Sequence, residues 1–338
     1  MNPALLIRLR PSTPWRLAPA SGAGLEATPV LHSDSLYSAV TLAFDQLNLL
    51  EEWLNATAAP YAAPAVRFTS AFPWQRSYLY VPPPAGLWPP RGASAKVRWK
   101  GASLIPSSVV AALLRGETVS EDQWAVDGPS GCLVPAASRS ATGPFRFVLR
   151  SSAAVDRVTG GHVEPHAASC VQFAPASGLW CAAQFSNPTT YAVWAPKLQA
   201  AFRLLADSGV GGMRSRGFGR SRSVDFQPGL LNELLLGAAA PASSGAWWLL
   251  SLMNPGAHDE VNWSAGHYEL TSRTGRVGSR HGAGRQKLTT RMVREGSVLV
   301  SPQAPGGRVL DVAPEGCAHP VYRAGYAVSL PIPWPVTE

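Results

Sequence analysis

The segment from Gly209 to Asp225 reads GVGGMRSRGFGRSRSVD, and the elements on either side of it decide the fold. It contains five glycines, which permit positive φ angles and a close approach of the main chain to a ligand. Within nine residues it also carries four arginines, namely Arg214, Arg216, Arg220 and Arg222. Main-chain N–H groups together with guanidinium groups are typical of a loop that binds a polyanion.

The residues before this loop predict a helix, and those after it predict a strand. Over 196–208, Leu198, Ala201, Phe202 and Leu205 lie at helical spacing. Pro196 suits a first helical turn, and Gly209 suits the position just after the last turn. Residues 223–226 are typical of a short strand. The predicted order is therefore helix, Gly/Arg loop, strand.

Two well-known phosphate-binding loops do not fit this segment. A dinucleotide fingerprint starting at Gly209 requires glycine where Arg214 stands, and a P-loop starting at Gly212 requires lysine where Phe218 stands. The order of elements favours an extended nucleic-acid backbone instead, with arginines on phosphates and Phe218 stacked on a base. The alternative is a solvated basic turn.

Composition and charge restrict the class of protein. The chain has 338 residues, 46% of them apolar, so a large core is expected and general disorder is excluded. Its net charge is +8, and only four of its 29 basic residues are lysines. This balance favours a phosphate-rich partner, although a basic surface can also serve solubility alone.

Targeting and cysteine signals indicate a cytoplasmic protein that does not associate with membranes. Arg8 and Arg10 interrupt the only early apolar run, and no apolar run is long enough to cross a bilayer. The four cysteines lack a Cys-x-x-Cys pair, so free thiols are expected rather than disulfides or a zinc site. They are Cys132, Cys170, Cys181 and Cys317.

The first part of the chain predicts a strand at 5–10, a long loop, and a helix. The helix has Leu36, Val40 and Phe44 on one face, with Ser33 or Asp34 as its N-cap. His32 and Asp34 could instead form an acid/base pair, but a cap beside a packed or RNA-facing histidine is the simpler interpretation.

The middle of the chain predicts a basic strand at 96–100, a helix at 106–116 and a strand at 145–150. The Gly160-Gly161 pair then indicates a hairpin that could project from the body. His162 and His166 are possible metal ligands. Because Pro165 prevents the helix that would align them, we expect no metal site, and no cofactor is indicated.

With a strand at 179–185, the order through residue 226 is that of a ferredoxin-like fold with an insertion. The predicted class is α+β, with two ferredoxin-like (RRM-like) units carrying loop and hairpin insertions. Residues 1–228 form the first unit, with the hairpin and the Gly/Arg loop. Residues 229–338 form a smaller ferredoxin-like unit, with strands at 247–252, 268–273, 298–300 and 326–330.

Residues 273–294 of the second unit carry seven basic side chains and no acid between them. Two interpretations explain this pattern equally well. One is a mobile loop that contacts RNA or an acidic partner, and the other is a solvated loop. The basic residues are Arg273, Arg276, Arg280, Arg285, Lys287, Arg291 and Arg294.

The chain resembles the RAMP superfamily of CRISPR effector proteins, and within it the Cas5-like fourth subunit of the type III-A Csm complex. The resemblance covers nearly the whole chain, and it depends on a series of landmarks in a fixed order. These are HSDSL at 32–36, SAFP at 70–73, residues 99–116, DRVTG at 156–160, the loop at 209–220, SRTG at 272–275, residues 292–297 and PVYR at 320–323.

The resemblance implies a subunit that holds the repeat-derived 5′ handle of the CRISPR RNA (crRNA). It also implies docking onto the large polymerase-like subunit and the first backbone RAMP subunit, without catalysis. The hairpin at 156–162 would act as a thumb that kinks the RNA beyond the handle. The implied RNA-binding residues are His32, Ser33, Asp34, Arg157, Thr159, Gly209, Gly211, Gly212, Met213, Arg214, Ser215, Arg216, Gly217, Phe218, Gly219, Arg220, Arg273 and Arg276.

Two other functions remain open from the sequence. The first is a RAMP endoribonuclease that processes precursor crRNA by general acid/base chemistry on the 2′-hydroxyl. Its candidate groups are His32, His162, His166, His281 and Asp34, whose spacing indicates no catalytic cluster. The second is a backbone subunit that cleaves target RNA through a loop aspartate. The long C-terminal unit and the order of the landmarks favour the non-catalytic subunit.

Overall fold

The structure is a computed structural model that describes residues 2–17, 27–59, 63–90, 96–136, 142–155, 158, 161, 163–237, 245–278 and 284–334. The elements through residue 236 are β1 (Pro3–Pro11), α1 (Ser33–Gln46), α2 (Leu50–Thr57), β2 (Val66–Phe68), β3 (Phe72–Gln75), β4 (Tyr78–Val81), α3 (Lys96–Trp99), β5 (Ile105–Pro106), α4 (Ser107–Leu114), β6 (Trp124–Asp127), β7 (Cys132–Pro135), β8 (Phe145–Val155), β9 (Val163–Phe173), β10 (Ser177–Phe185), α5 (Pro188–Ser208), β11 (Ser221–Leu230) and α6 (Leu231–Leu236). The elements after it are β12 (Ala246–Leu249), β13 (Asn262–His267), β14 (Leu270–Arg273), β15 (Thr290–Val293), β16 (Val298–Val300), β17 (Gly307–Asp311), β18 (Tyr322–Tyr326) and β19 (Ser329–Ile332).

The first unit is organised around an antiparallel sheet with strand order β11-β1-β10-β3-β4-β5, and β2 also pairs with β10. Read along the chain, β1, α1, β2 with β3, β10, α5 and β11 give the strand–helix–strand repeat of a ferredoxin-like fold. Strand β1 lies between β10 and β11, as this topology requires. The ferredoxin-like prediction for this unit is confirmed.

Both faces of this sheet are covered, which explains the continuous apolar run in β1. Leu5, Ile7 and Leu9 pack against the apolar faces of α1 and α5. Ala4 and Leu6 point the other way, into a cluster that also contains residues of α4, α6, β12 and β19. Strands β12 and β19 of the second unit therefore pack against the sheet face opposite α1 and α5, whereas β18 of the same unit packs against α1.

The second unit contains an antiparallel sheet of order β13-β16-β12-β19, with β14–β15 and β17–β18 as separate pairs. Its described parts, 229–237, 245–278 and 284–334, contain only helix α6, so they lack the second helix of a complete ferredoxin-like unit. Glycine and arginine occupy much of 273–285, where no apolar helical period exists. The α+β class is confirmed, and the unit boundary after residue 228 stays a prediction.

Three local predictions were wrong at the level of single elements. Helix α5 begins at Pro188 rather than Pro196, because the Asn187 side chain accepts a hydrogen bond from the Thr190 N–H (2.8 Å) and caps an earlier turn. Residues 96–99 form helix α3 rather than a strand, and Trp99 stacks on Trp88. The strand predicted at 326–330 is split, since the chain leaves β18 and enters β19 there.

None of the described helices is both long and apolar enough to cross a membrane.

The hairpin predicted around Gly160-Gly161 is confirmed by strands β8 and β9, which pair from Phe145 with Phe173 to Val155 with Val163. Its base is held to the body, since Val171 forms a backbone bridge with the buried Trp15. Farther out, apolar side chains such as Leu149 and Val155 are exposed. The hairpin therefore extends beyond the core.

The cap of α5 provides a direct test of where this helix begins. Replacing Asn187 with alanine should lower the free energy of unfolding by about 1 kcal/mol, because an orphan N–H of the first turn loses its acceptor. Urea denaturation followed by circular dichroism measures this change. Asn187→Asp should keep wild-type stability, and equal losses for alanine and aspartate would contradict the assigned cap.

Candidate nucleic-acid interface

The Gly/Arg loop, residues 209–222, joins the end of α5 to the start of β11. The Val210 side chain is buried, and its N–H donates to the Gly219 carbonyl (3.0 Å), which closes the base of the loop. Between them a single 3₁₀ turn, Arg214–Arg216, carries the two arginines at the tip. The side chains of Arg214, Arg216, Arg220 and Arg222 are all exposed.

The underside of the loop packs against the main chain of residues 12–17. The Gly212 N–H donates to the Arg16 carbonyl (2.8 Å), and the Gly219 N–H donates to the Pro14 carbonyl (3.0 Å). At Gly211, with φ +91°, an added Cβ would lie 2.6 Å from the Arg16 carbonyl oxygen. At Gly219 it would lie 2.0 Å from the Val210 carbonyl oxygen. These glycines are required by contacts inside the protein, whereas the sequence suggested a close approach to the ligand.

The loop and the basic segment of the second unit lie side by side. They line a cavity of about 250 Å³ together with the exposed side of α1. We call it the basic cavity. Its charged lining residues are Asp34, Arg214, Arg276, Lys287 and Arg323. The structure thus brings together two basic stretches that are more than fifty residues apart in the chain.

Below the basic cavity, a buried ion pair joins the first unit to the second. Arg273 donates to both oxygens of Asp34, from Nη2 to Oδ1 (2.8 Å) and from Nε to Oδ2 (3.0 Å). The Arg323 guanidinium lies 3.7 Å from the same carboxylate and donates to the carbonyls of Arg273 and Thr274. We call Asp34, Arg273 and Arg323 the buried charge cluster.

A second buried pair lies beside the cluster. His32 Nδ1 is 2.8 Å from Glu295 Oε1, and the Ser70 hydroxyl hydrogen-bonds to the same carboxylate oxygen. The Ser33 hydroxyl accepts a hydrogen bond from the Leu252 N–H (3.0 Å). The predicted N-cap role of Ser33 or Asp34 was therefore wrong. The cap position of α1 is His32, without a side-chain cap hydrogen bond, because Ser33 and Asp34 bind the second unit.

The electrostatics of the two carboxyl groups agree with these partners. Burial opposes the ionisation of Asp34, but the interactions with Arg273, His32 and Arg323 together outweigh it and hold the pKa of Asp34 below its ordinary value. Burial likewise opposes the ionisation of Glu295, and its interaction with His32, helped by Ser70, holds the pKa of Glu295 below the ordinary value. Both groups are therefore carboxylates at neutral pH.

The predicted RNA-binding residues fall into different environments. Gly211, Gly212, Arg214, Ser215, Arg216, Arg220 and Arg276 are exposed, while Met213, Gly217 and Phe218 are half-buried. Ser33, Asp34, Gly209, Gly219 and Arg273 are buried, and His32 is half-buried against Glu295. Arg157 and Thr159 lie outside the described residues. RNA contact by any of these residues stays a prediction.

Sequence reasoning missed Glu295, Lys287 and Arg323 as members of this region. Glu295 and Arg323 lie within landmarks of the family resemblance, at 292–297 and 320–323, but neither carries a motif that reveals its partner. Lys287 was one of seven basic residues with no feature that set it apart. The only available signal was that Glu295 is an acid among apolar and basic neighbours.

The chain combines an α+β fold and a ferredoxin-like sheet with an exposed Gly/Arg loop. Residues 242–332 match the family described as the CRISPR Csm4 C-terminal domain. Over these residues the chain is similar to a Csm4 C-terminal domain, which agrees with the resemblance stated from the sequence. Among curated proteins, no match was found.

Solved structures extend the similarity of fold to the whole chain. A chain of the Csm1-Csm4 cassette in complex with cA4 is 18% identical, with a TM-score of 0.60, and the match covers 99% of this chain and 100% of that one. A chain of the Csm3-Csm4 subcomplex of the type III-A CRISPR-Cas interference complex is 15% identical, with a TM-score of 0.62, covering 98% and 100%. Csm4 is the component that these two structures share.

The two buried carboxylates predict an acid-sensitive contact between the units. A carboxyl group whose pKa is lowered by folding stabilises the folded state above its unfolded pKa, and this contribution is lost as pH falls through the folded value. The ordinary values are 3.8 for Asp34 and 4.5 for Glu295. The free energy of unfolding should therefore decline as pH falls below about 5. Urea denaturation across this pH range measures the decline.

Variants that remove one carboxylate at a time show which group causes the decline in stability in acid. Asp34→Asn should lose about 3–5 kcal/mol at neutral pH, because the buried Arg273 guanidinium is left without its carboxylate. Glu295→Gln should lose less, because its partner His32 is only half-buried. Both variants should also show a shallower decline in acid. Glu117→Gln, which removes an exposed carboxylate, should behave like the wild type. Parallel acid profiles for the wild type and both buried-site variants would refute this assignment.

Proposed function

We propose that this chain is a non-catalytic, crRNA-binding subunit of a type III-A CRISPR interference complex in antiviral defence. It holds the repeat-derived 5′ handle and bridges the large polymerase-like subunit to the first backbone subunit. The observation that carries the proposal is the exposed Gly/Arg loop beside the basic cavity, on a chain that is similar to a Csm4 C-terminal domain over residues 242–332.

The charge of the loop supports RNA as its ligand. Among the described residues, no carboxylate pairs with Arg214, Arg216, Arg220 or Arg222. The Arg216 guanidinium donates to the Ser152 hydroxyl of the hairpin (3.3 Å), so the loop adjoins the hairpin that was predicted to act as a thumb. Unpaired, exposed arginines attract phosphates at little cost in dehydration, and the half-buried Phe218 between them offers a ring to a base.

The solved structures of similar fold support two protein partners. In one of them Csm4 is assembled with Csm1, the large subunit, and in the other with Csm3, the backbone subunit. A chain that bridges the two needs separate surfaces for each. The projecting hairpin and the second unit are separate surfaces of this chain.

The environment of the candidate acid/base groups supports a role without catalysis. Asp34 is held by Arg273 in a buried ion pair, and His32 is paired with Glu295. A general base that removes a 2′-hydroxyl proton must reach the substrate with a free atom, which the buried Asp34 carboxylate does not offer. His166 lies on the exposed hairpin, and His162 and His281 are outside the described residues.

We also propose that the protein acts in the cytoplasm, where crRNA and invading transcripts are found. Its cysteines support a reducing compartment. Burial raises the pKa of the Cys132 thiol to about 12 and also raises the pKa of Cys181. Both therefore remain free thiols with low reactivity.

Removal of the loop arginines tests RNA binding. The combined substitutions Arg214→Ala, Arg216→Ala and Arg220→Ala should weaken binding of single-stranded handle RNA. If each arginine meets one phosphate, the slope of log affinity against log salt should become shallower by about 0.7 per contact. Filter binding over a range of salt concentrations measures both quantities, and thermal melting without RNA should barely change.

A matched variant tests whether the position of the arginines matters or only the total positive charge that is removed. Arg76→Ala, Arg98→Ala and Arg308→Ala remove three exposed arginines that lie outside the loop and the basic cavity. This variant should keep nearly the wild-type salt slope. If both triple variants lose affinity equally, the loop is not the RNA contact.

The shape of the loop can be changed without changing its charge. Gly211→Ala places a Cβ against the Arg16 carbonyl and should displace the loop from residues 12–17. Affinity for the handle RNA should fall while the salt slope largely persists, because the arginines remain. Wild-type affinity in the same filter-binding assay would show that the loop conformation is irrelevant to binding.

Incubation of the purified chain with labelled precursor RNA tests for ribonuclease activity. We expect no shortening of the RNA with or without magnesium. Cleavage that is lost in His32→Ala or His166→Ala would favour the processing endoribonuclease instead.

A further inference from the structure

The basic cavity contains more positive charge than its own acid can balance. Asp34 is the only carboxylate among its described lining residues, against Arg214, Arg276, Lys287 and Arg323. Arg273, directly below, occupies both oxygens of that carboxylate. The cavity is therefore lined by cations, and the one carboxylate beside them is already paired with Arg273.

Arg323 is satisfied within the protein despite its burial. It donates to the carbonyls of Arg273 and Thr274 and to the Thr290 hydroxyl. Carbonyl dipoles and the nearby Asp34 thus replace its water shell. Arg323 has a structural role and has little capacity left for a ligand.

Lys287 is different. Its main chain is fixed, since its N–H donates to the Gly275 carbonyl (2.8 Å). Among the described residues, however, its ammonium group has no hydrogen-bond or ion-pair partner, although it is only half-exposed on the cavity wall. Burial lowers the pKa of Lys287, and the neighbouring Arg323 lowers it further. A bound anion would relieve both effects.

We propose that the basic cavity is a subsite for one phosphate group of the bound RNA, with Lys287 as its principal ligand and Arg214 closing it from the loop. This inference rests on the proposed function for the identity of the phosphate carrier. The volume of about 250 Å³ is several times the roughly 30 Å³ that one water occupies, so a phosphate and its residual waters fit. The phosphate spans the two units, because Arg214 belongs to the first and Lys287 to the second.

The scarcity of lysine makes Lys287 directly observable. The chain has four lysines, at positions 96, 100, 197 and 287. Acetylation of the full-length chain, read by mass spectrometry, gives a labelling rate for each. The reaction is run with the free protein, with inorganic phosphate, with single-stranded handle RNA, and with the purified large subunit. The exposed Lys100 is the internal control.

We expect RNA to slow the labelling of Lys287 several-fold and to leave Lys100 unchanged. Inorganic phosphate should give the same selectivity at higher concentration. Protection of Lys287 by the large subunit but not by RNA or phosphate would overturn the proposal, because the cavity would then accept a protein group. Equal labelling of Lys287 under all four conditions would also overturn it.

Substitutions provide a second, independent measurement. Lys287→Met should weaken RNA binding about tenfold and reduce the salt slope by about 0.7, as one charge-assisted phosphate contact is lost. Lys287→Arg should retain most of the affinity, and Lys100→Met should match the wild type. Wild-type affinity and slope for Lys287→Met would contradict the proposal.

Failure of this inference can be told apart from failure of the proposed function. If the wild-type chain binds RNA but Lys287 is neither protected nor required, the function stands and the subsite is wrong. If the wild-type chain does not bind RNA, the proposed function fails, and the inorganic phosphate measurement alone decides the subsite. Selective protection by phosphate supports it, and no protection refutes it.

Discussion

The ion pair between Asp34 and Arg273 is the constraint on which the arrangement of the two units depends. It joins the first turn of α1 to the end of β14 across 239 residues of sequence. Dehydrating both charges is costly, and the bidentate geometry with the Ser35 hydroxyl offsets much of that cost. Its main effect is to fix how the second unit sits on the first, since an apolar interface alone would tolerate small shifts.

In this arrangement the arginines fall into two groups with different roles. Arg273 and Arg323 are buried and hold the units together, while the arginines of the Gly/Arg loop are exposed and available to a ligand. The buried group places residues 274–276 and Lys287 beside the loop, so that the basic cavity forms between them. The proposed RNA-binding surface, which both units form, therefore depends on a buried ion pair.

The sequence was informative where the signal is local. The apolar spacing of α1, the strand–helix–strand order and the Gly/Arg loop all follow from neighbouring residues, and the structure has each of them. The start of α5 was placed too late because Pro196 resembles a first-turn proline, although Asn187 caps the helix earlier. The roles of Asp34 and Glu295 were beyond reach, because their partners lie 239 and 263 residues away in the chain. The same separation concealed the exceptional position of Lys287 among seven basic residues.

The central claim is that the Gly/Arg loop of this chain holds the 5′ handle of crRNA within an assembled complex. Ultraviolet cross-linking of the complex purified through this chain, with identification of the linked peptides and sequencing of the linked RNA, tests it most directly. We expect cross-links from the peptide containing Phe218 to nucleotides of the repeat-derived 5′ handle. RNA without a common repeat-derived 5′ sequence, or cross-links confined to other surfaces of the chain, would contradict it.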